Sequence, residues 1–166
     1  MKSDEIQTSR LLLRIPLYED ESAVFEIHGD PETNRFNPFG PHPNIQQSRW
    51  QLEHWIAHWK VHDFGYWSVS LIENQDYIIG FGGIIEKKID GEDRLNLYYR
   101  FRPEVWGNGY ATEMAQQAIE FGFQTLKRDE ISATVRKTNT PSIRLMERLG
   151  MKFRKCITNE KGESLL

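Results

Sequence analysis

The residues best placed to do chemistry in this sequence stand together in Arg102-Pro103-Glu104-Val105-Trp106-Gly107-Asn108-Gly109-Tyr110-Ala111-Thr112-Glu113. An aromatic, strand-like run (95–101) leads into this stretch and a helical pattern (111–126) leads out of it. Gly107 and Gly109 allow a tight turn with no side chain in the way. The first amides of the following helix have no intrahelical partner, and the helix dipole favours negative charge there. A diphosphate fits such a loop. No Gly-Lys-Ser/Thr follows, so it is not a phosphate loop of the Walker type, and the third glycine of a dinucleotide fingerprint is absent. From spacing alone a tight strand-to-helix turn without a ligand stays equally open.

The elements that must position this loop are read from periodicity and punctuation. Residues 10–16 form a strand and 19–28 a short helix. Residues 31–43 form a loop with Pro31, Pro38, Pro41 and Pro43. Residues 44–61 form a helix, with Leu52, Trp55, Ile56 and Trp59 at i, i+3, i+4 and i+7. Three strands follow as a meander, 65–73, 77–88 and 94–102, separated by turn signals at Asn74-Gln75-Asp76 and Asp90-Gly91-Glu92-Asp93. The helix 111–126 carries a small-residue stripe, Ala111, Ala115, Ala118 and Gly122, suited to close packing on a sheet. A strand over 130–136 precedes a helix capped by Thr140, with Pro141 in its first position and Gly150 at its end. The strand 151–158 closes the pattern. The order defines an α/β (α+β) chain, and the absence of repeats and linkers predicts one domain over 1–166.

Composition excludes several functions. The chain has 166 residues, 39% hydrophobic and 27% charged, as a globular protein requires. A net charge of −3 argues against binding nucleic acid through a general basic field. No apolar run reaches membrane-spanning length, and the N-terminus lacks the character of a secretory signal. Cys156 is the sole cysteine, which excludes an internal disulfide and fits a reducing, cytoplasmic setting; a structural thiol is the simpler reading of it than a nucleophile.

Three blocks carry a family resemblance. The loop 102–112 resembles the pyrophosphate loop of the GNAT (GCN5-related) N-acetyltransferases. The run Trp106-Gly107-Asn108-Gly109-Tyr110-Ala111-Thr112-Glu113 is most similar to the branch that acetylates N-termini of ribosomal proteins. Asn139-Thr140-Pro141-Ser142-Ile143-Arg144-Leu145-Met146-Glu147-Arg148-Leu149-Gly150-Met151 resembles the Asn-x-x-Ser…Leu-Gly-Phe segment of that branch. Thr8-Ser9-Arg10-Leu11-Leu12-Leu13-Arg14 resembles its first strand, and Gly29-Asp30-Pro31-Glu32 its first-helix exit. Two departures stand out. Glu104 occupies a place usually held by Gln or Arg, and is expected to face outward. The family's closing hairpin would start its last strand near Glu163, so that strand is expected to be short, missing or supplied by another chain, a homodimer being one outcome.

The resemblance implies a mixed, twisted central sheet with helices on both faces, in the GNAT acyl-CoA acyltransferase fold. It implies acetyl-CoA as cosubstrate, entering a gap between the strand 94–102 and the strand 130–136, and no metal. Phe101, Arg102, Val105, Trp106, Gly107, Asn108, Gly109, Tyr110, Ala111 and Thr112 would hold the cofactor, with the amides of 105–111 on the diphosphate and a backbone N–H near 100–102 on the acetyl carbonyl. Asn139 would bond the pantetheine or orient a water, or simply start a helix. Ser142 would give a proton to the leaving thiolate, or simply cap. The acceptor implied is a protein N-terminal amine, with a small-molecule amine as the rival. A CoA-binding module without catalysis is a third reading.

Other candidates come from the residues alone. Tyr98 and Tyr99 face opposite sides of one strand, so one is expected to line the site and the other the core. Glu86 is a candidate base or a solvated strand-end acid. Arg35, Phe36, Phe39 and Trp50 form an expected acceptor-side wall, or staple the loop to the body. His54, His58 and His62 fall at i, i+4 and i+8, but off the core stripe and outside any zinc-binding pattern; a solvated face is expected.

Overall fold

The computed structural model describes residues 5–158 together with 164 and 165. Five strands, β1 (Glu5–Gln7), β2 (Leu11–Arg14), β3 (Tyr66–Leu71), β4 (Asn74–Ile89) and β5 (Glu92–Phe101), form one sheet in the order β1-β2-β3-β4-β5, antiparallel throughout. A parallel bridge, Asn96↔Ser132, adds a sixth chain segment beside β5. The helices are α1 (Glu21–His28), α2 (Ile45–His62), α3 (Tyr110–Glu120) and α4 (Thr140–Arg148). A small separate ladder pairs β6 (Ile157–Thr158) with β7 (Ser164–Leu165).

Helices cover both faces of the sheet because alternate strand residues are apolar on both sides. Leu11, Leu13, Val69, Ile84, Leu95 and Leu97 pack with Met114, Ala115 and Ala118 of α3. Ile78 and Phe81 pack with Val24 and Ile27 of α1 and Leu52, Trp55 and Ile56 of α2. A register shift between β3 and β4, where Val69 pairs with Gly80 and Ser70 with Ile78, leaves Ile79 as an extra residue. That bulge puts Ile79 and Phe81 on opposite faces despite their even spacing. The small stripe of α3 serves the predicted close approach. A Cβ on Gly82 would lie 2.5 Å from Met114 Cε and 2.6 Å from the Tyr98 carbonyl.

Several boundaries differ from the pattern. The turn between β3 and β4 is Ile72-Glu73, ahead of the Asn-Gln-Asp signal, so Asn74 already pairs in the ladder. Asp90 (φ 52°) and Gly91 (φ 79°) make a two-residue hairpin turn with both central residues left-handed, as an Asp-Gly pair favours. Asn139, not Thr140, caps α4: its Oδ1 accepts from the Ser142 amide at 3.3 Å, and Thr140 becomes the first helical residue. The helix after the glycine loop stays α-helical to Glu120 and finishes as a π turn over Phe121–Thr125. The predicted strand 130–136 touches β5 only around Ser132, and only Ile157–Thr158 of the predicted strand 151–158 is strand. The predicted final strand survives as the short β7, and the remainder of 159–163 and Leu166 lies outside the described residues.

Candidate active site

The site begins at the open edge of β5. The Leu97 amide donates to the Ser132 carbonyl and the Ser132 amide to the Leu95 carbonyl, both at 2.8 Å. Beyond Ser132 the neighbouring segment leaves β5. Backbone direction alternates along a strand, so the amides of Tyr99 and Phe101 point to the same edge as that of Leu97, into the opening. The Arg102 amide points the other way and donates to the Ile79 carbonyl at 2.8 Å. Of the predicted positions 100–102, Phe101 therefore presents its N–H to the gap.

The glycine loop follows directly. Gly107 (φ 82°) and Gly109 (φ 79°) are both left-handed, and Gly109 is the N-cap of α3. Nothing lies within 4 Å of where a Cβ on Gly107 would stand, so the loop presents bare backbone. Not all the expected amides remain available. Those of Val105 and Trp106 are spent in the 3-10 turn Pro103–Val105, on the Arg102 and Pro103 carbonyls at 3.1 Å. Among the described residues, the amides without a backbone partner run over 107–112, as the start of a helix leaves them. This concave run with its dipole-favoured charge suits a diphosphate.

A clamp that sequence reasoning missed holds the loop. Glu113 Oε1 accepts from Thr8 Oγ1 at 2.6 Å and from the Arg10 amide at 2.8 Å. Its Oε2 accepts from Arg10 Nε at 2.7 Å. Arg10 Nη1 donates to the Asn108 carbonyl at 2.8 Å, and its guanidinium lies 4.5 Å from the centre of the Tyr110 ring. Burial alone would raise the Glu113 pKa, but these donors hold it below the usual range. The signal was present, since Thr8, Arg10 and Glu113 all lie in two of the three blocks that carry the resemblance; nothing local said that they touch.

Tyr99 and Ser142 meet across the gap, their hydroxyls 2.6 Å apart. β5 supplies one and the first turn of α4 the other. Burial pushes the Tyr99 phenol pKa up, partly offset by the Ser142 bond, so the phenol keeps its proton at neutral pH. Asn139 stands one helical turn before Ser142 and spends its Oδ1 on the cap.

A cleft of about 1070 Å³ joins these parts. Tyr99, Phe101, Val105, Trp106, Gly107, Gly109, Tyr110, Ala111, Thr112, Asn139 and Ser142 line it, and Arg35, Phe36 and Phe39 form its far wall. Trp50 is elsewhere, exposed and with its ring 3.9 Å from that of His54, tilted by 39°. Arg102 and Asn108 do not line the cleft. Arg102 turns to α1, with Nη2 2.7 Å from Glu26, and Asn108 folds back on the Val105 carbonyl at 2.8 Å. Glu104 faces outward as expected and accepts from the Tyr77 hydroxyl at 2.8 Å. Glu86 is not brought to the cleft; it is paired with Arg128.

Two further corrections concern rings. Tyr98 is not simply core: it lines the cleft, and its hydroxyl lies 2.7 Å from Nε2 of the buried His28. His28 Nδ1 faces the Val24 carbonyl at 3.1 Å and must donate to it, so Nε2 accepts from Tyr98. Burial, then the charge of Arg100 and then His42, push the His28 pKa well down. His58 is not on a solvated face. It is half-buried, donating from Nδ1 to the Phe64 carbonyl at 2.8 Å and accepting the Glu86 amide at Nε2 at 3.1 Å. Among the described residues no group of His, Cys, Asp and Glu is arranged to hold a metal.

The glycine cradle offers unpaired amides, β5 an open strand edge, and Tyr99 and Ser142 a hydroxyl pair beside it. Residues 10–152 match the acetyltransferase (GNAT) domain family. The chain is 30% identical over 156 residues to the uncharacterized N-acetyltransferase YnaD of Bacillus subtilis (strain 168), covering 92% of this chain and 87% of the other. Its fold is shared with the ribosomal-protein-S5-alanine acetyltransferase of Vibrio fischeri (TM-score 0.73, 16% identity, 98% of this chain and 93% of that one). It is equally shared with the spermidine N-acetyltransferase of Vibrio cholerae, solved with CoA and spermine (TM-score 0.74, 19% identity, 95% and 93%). The chain belongs to the GNAT acetyltransferase family, whose members are acetyl-CoA-dependent acyltransferases.

Proposed function

We propose that this acetyltransferase acts on the α-amine of a peptide or protein N-terminus. The observation that carries the reading is the state of the carboxylates lining the cleft. Glu32 is paired with Arg35 at 2.6 Å, and Asp90 is paired with Lys155. Neither is poised as a base. An amine that is partly neutral at pH 7 suits such a site, and an N-terminal α-amine, with a pKa near ~8, meets that condition; a lysine amine near ~10.4 does not.

In this reading the amides of 107–112 hold the diphosphate. The amide of Phe101 or Tyr99 donates to the acetyl oxygen, where charge develops as the amine adds to the carbonyl carbon. The nitrogen lone pair forms the new C–N bond, the C–S bond breaks, and the Tyr99–Ser142 pair delivers a proton to the departing sulfur. The proton lost by the amine goes to solvent. Arg35, Phe36 and Phe39 shape the acceptor side.

A free polyamine is the competing acceptor, on the strength of the fold neighbour bound to spermine. The deciding test is acetyl-CoA turnover, followed as thiol release, with peptides of free and blocked N-terminus and with spermidine. Acetylation of the free N-terminus only, seen as a single acetyl mass on the α-amine, supports the proposal. Faster turnover of spermidine than of any peptide overturns it, and CoA binding without turnover of any amine points to a binding module.

A further inference from the structure

The acceptor side of the cleft is built around a cation without a counter-ion. Arg100 shares a strand face with Tyr98, opposite to Tyr99, and lines the same cleft. It is half-buried. Its Nη1 donates to Asn34 Oδ1 at 3.0 Å, and its guanidinium lies 5.6 Å from the centre of the Tyr98 ring. Asn34 is itself immobilised: it is buried, and its Nδ2 donates to the His28 and Asp30 carbonyls at 2.8 Å. The guanidinium is thus fixed by one of its five N–H donors.

No carboxylate partners Arg100 among the described residues. The titratable neighbours on this face are Tyr98, His28 and His42, and the Arg100 charge helps to hold the two histidines in the neutral form, after burial in each case. Glu32, which also lines the cleft, is taken by Arg35. A partly desolvated guanidinium is normally paired, and its planar fork matches a carboxylate.

Resting on the acetyltransferase reading above, we infer that Arg100 binds a carboxylate carried by the acceptor close to its amine, so that the preferred acceptors are acidic and polyamines are rejected. Two sources offer that chemistry: an Asp or Glu side chain at a peptide N-terminus, and the side-chain carboxylate of a free acidic amino acid. A polyamine would bring several positive charges beside Arg100, which costs binding rather than supplying it.

The test compares isosteres. Initial rates are measured for tetrapeptides starting Asp, Asn, Glu or Gln, for free aspartate and asparagine, and for spermidine, with wild type and Arg100→Gln. The expected result is a kcat/KM at least about tenfold higher for Asp over Asn and Glu over Gln, the scale of one charge-assisted bond. That ratio should fall to near one in Arg100→Gln. Preference among peptides alone names the N-terminal side chain as the source; preference among free amino acids names the other. Equal rates for the isosteres in wild type overturn the inference. So does a ratio that survives in Arg100→Gln.

A binding measurement keeps the test valid if no acceptor turns over. The protein saturated with CoA is titrated with N-acetyl-aspartate and N-acetyl-asparagine. Tighter binding of the aspartate product, lost in Arg100→Gln with CoA affinity and circular dichroism retained, supports the carboxylate site even where the catalytic reading fails. Equal binding of the two by wild type overturns it. If Arg100→Gln does not fold, Arg100→Lys serves in its place, because it keeps the charge but loses the fork; there the Asp-over-Asn ratio should drop without inverting, and an unchanged ratio counts against the inference.

Discussion

At the scale of single residues the proposed chemistry rests on hydroxyls and backbone rather than on charged side chains. Tyr99→Phe and Ser142→Ala are each expected to lower kcat by about 10²-fold, the usual scale for a lost general acid. Because the two hydroxyls act through one 2.6 Å bond, the double variant should cost little more than either single one. Additive losses in steady-state kinetics would assign them separate roles. Ser142 and Asn139 were legible from the sequence as a pair at a helix start. That Tyr99 and not Tyr98 meets Ser142 was not, because alternation says only that the two differ in face.

At the scale of elements the loop works because a distant segment holds it. Glu113→Ala removes the acceptor of three hydrogen bonds from Thr8 and Arg10 and should weaken CoA binding roughly tenfold, about 1.4 kcal/mol, read by calorimetry. An affinity equal to wild type would show that the loop keeps its shape unaided. Gly82→Ala tests the contact between α3 and the sheet. Its Cβ would meet the Tyr98 carbonyl at 2.6 Å, where backbone cannot yield cheaply, so a loss of about 1–3 kcal/mol in denaturant unfolding is expected. The long strands and α2 were readable because their apolar period is sustained. Segments 130–136 and 151–158 have strand composition, yet neither forms a continuous strand: 130–136 meets β5 at the single bridge of Ser132, and strand in 151–158 is confined to 157–158. Composition states what a segment tolerates; pairing needs a neighbour at the right distance.

At the scale of the whole molecule, three histidines, His28, His42 and His58, have pKa values lowered chiefly by burial. Their folded values lie below the unfolded ~6.5, so the unfolded chain binds more protons under acidic conditions. Their contribution to stability is complete above about pH 6.5 and is lost as pH falls below it. Thermal melts from pH 8 to pH 5 should therefore show Tm falling mainly below pH 6.5, and less steeply in His28→Asn. A Tm flat across that window would contradict the buried, neutral assignment.

The amino-acid sequence by itself determined the order of the four helices and of the strands β2 to β5, the glycine loop at a helix start, the family and hence the acetyl-CoA chemistry, because each is written in neighbouring residues. Only the tertiary structure decided which amides remain free, that Arg10 and Glu113 clamp the loop from 103 residues apart, and that Tyr99 reaches Ser142. It also decided that Glu86 is spent on Arg128 and that Arg100 stands in the cleft without a carboxylate among the described residues. The physical reason is one and the same. Local periodicity fixes how a segment is patterned, whereas the partner of a donor or a charge is set by which distant segment the packed core brings within about 3 Å.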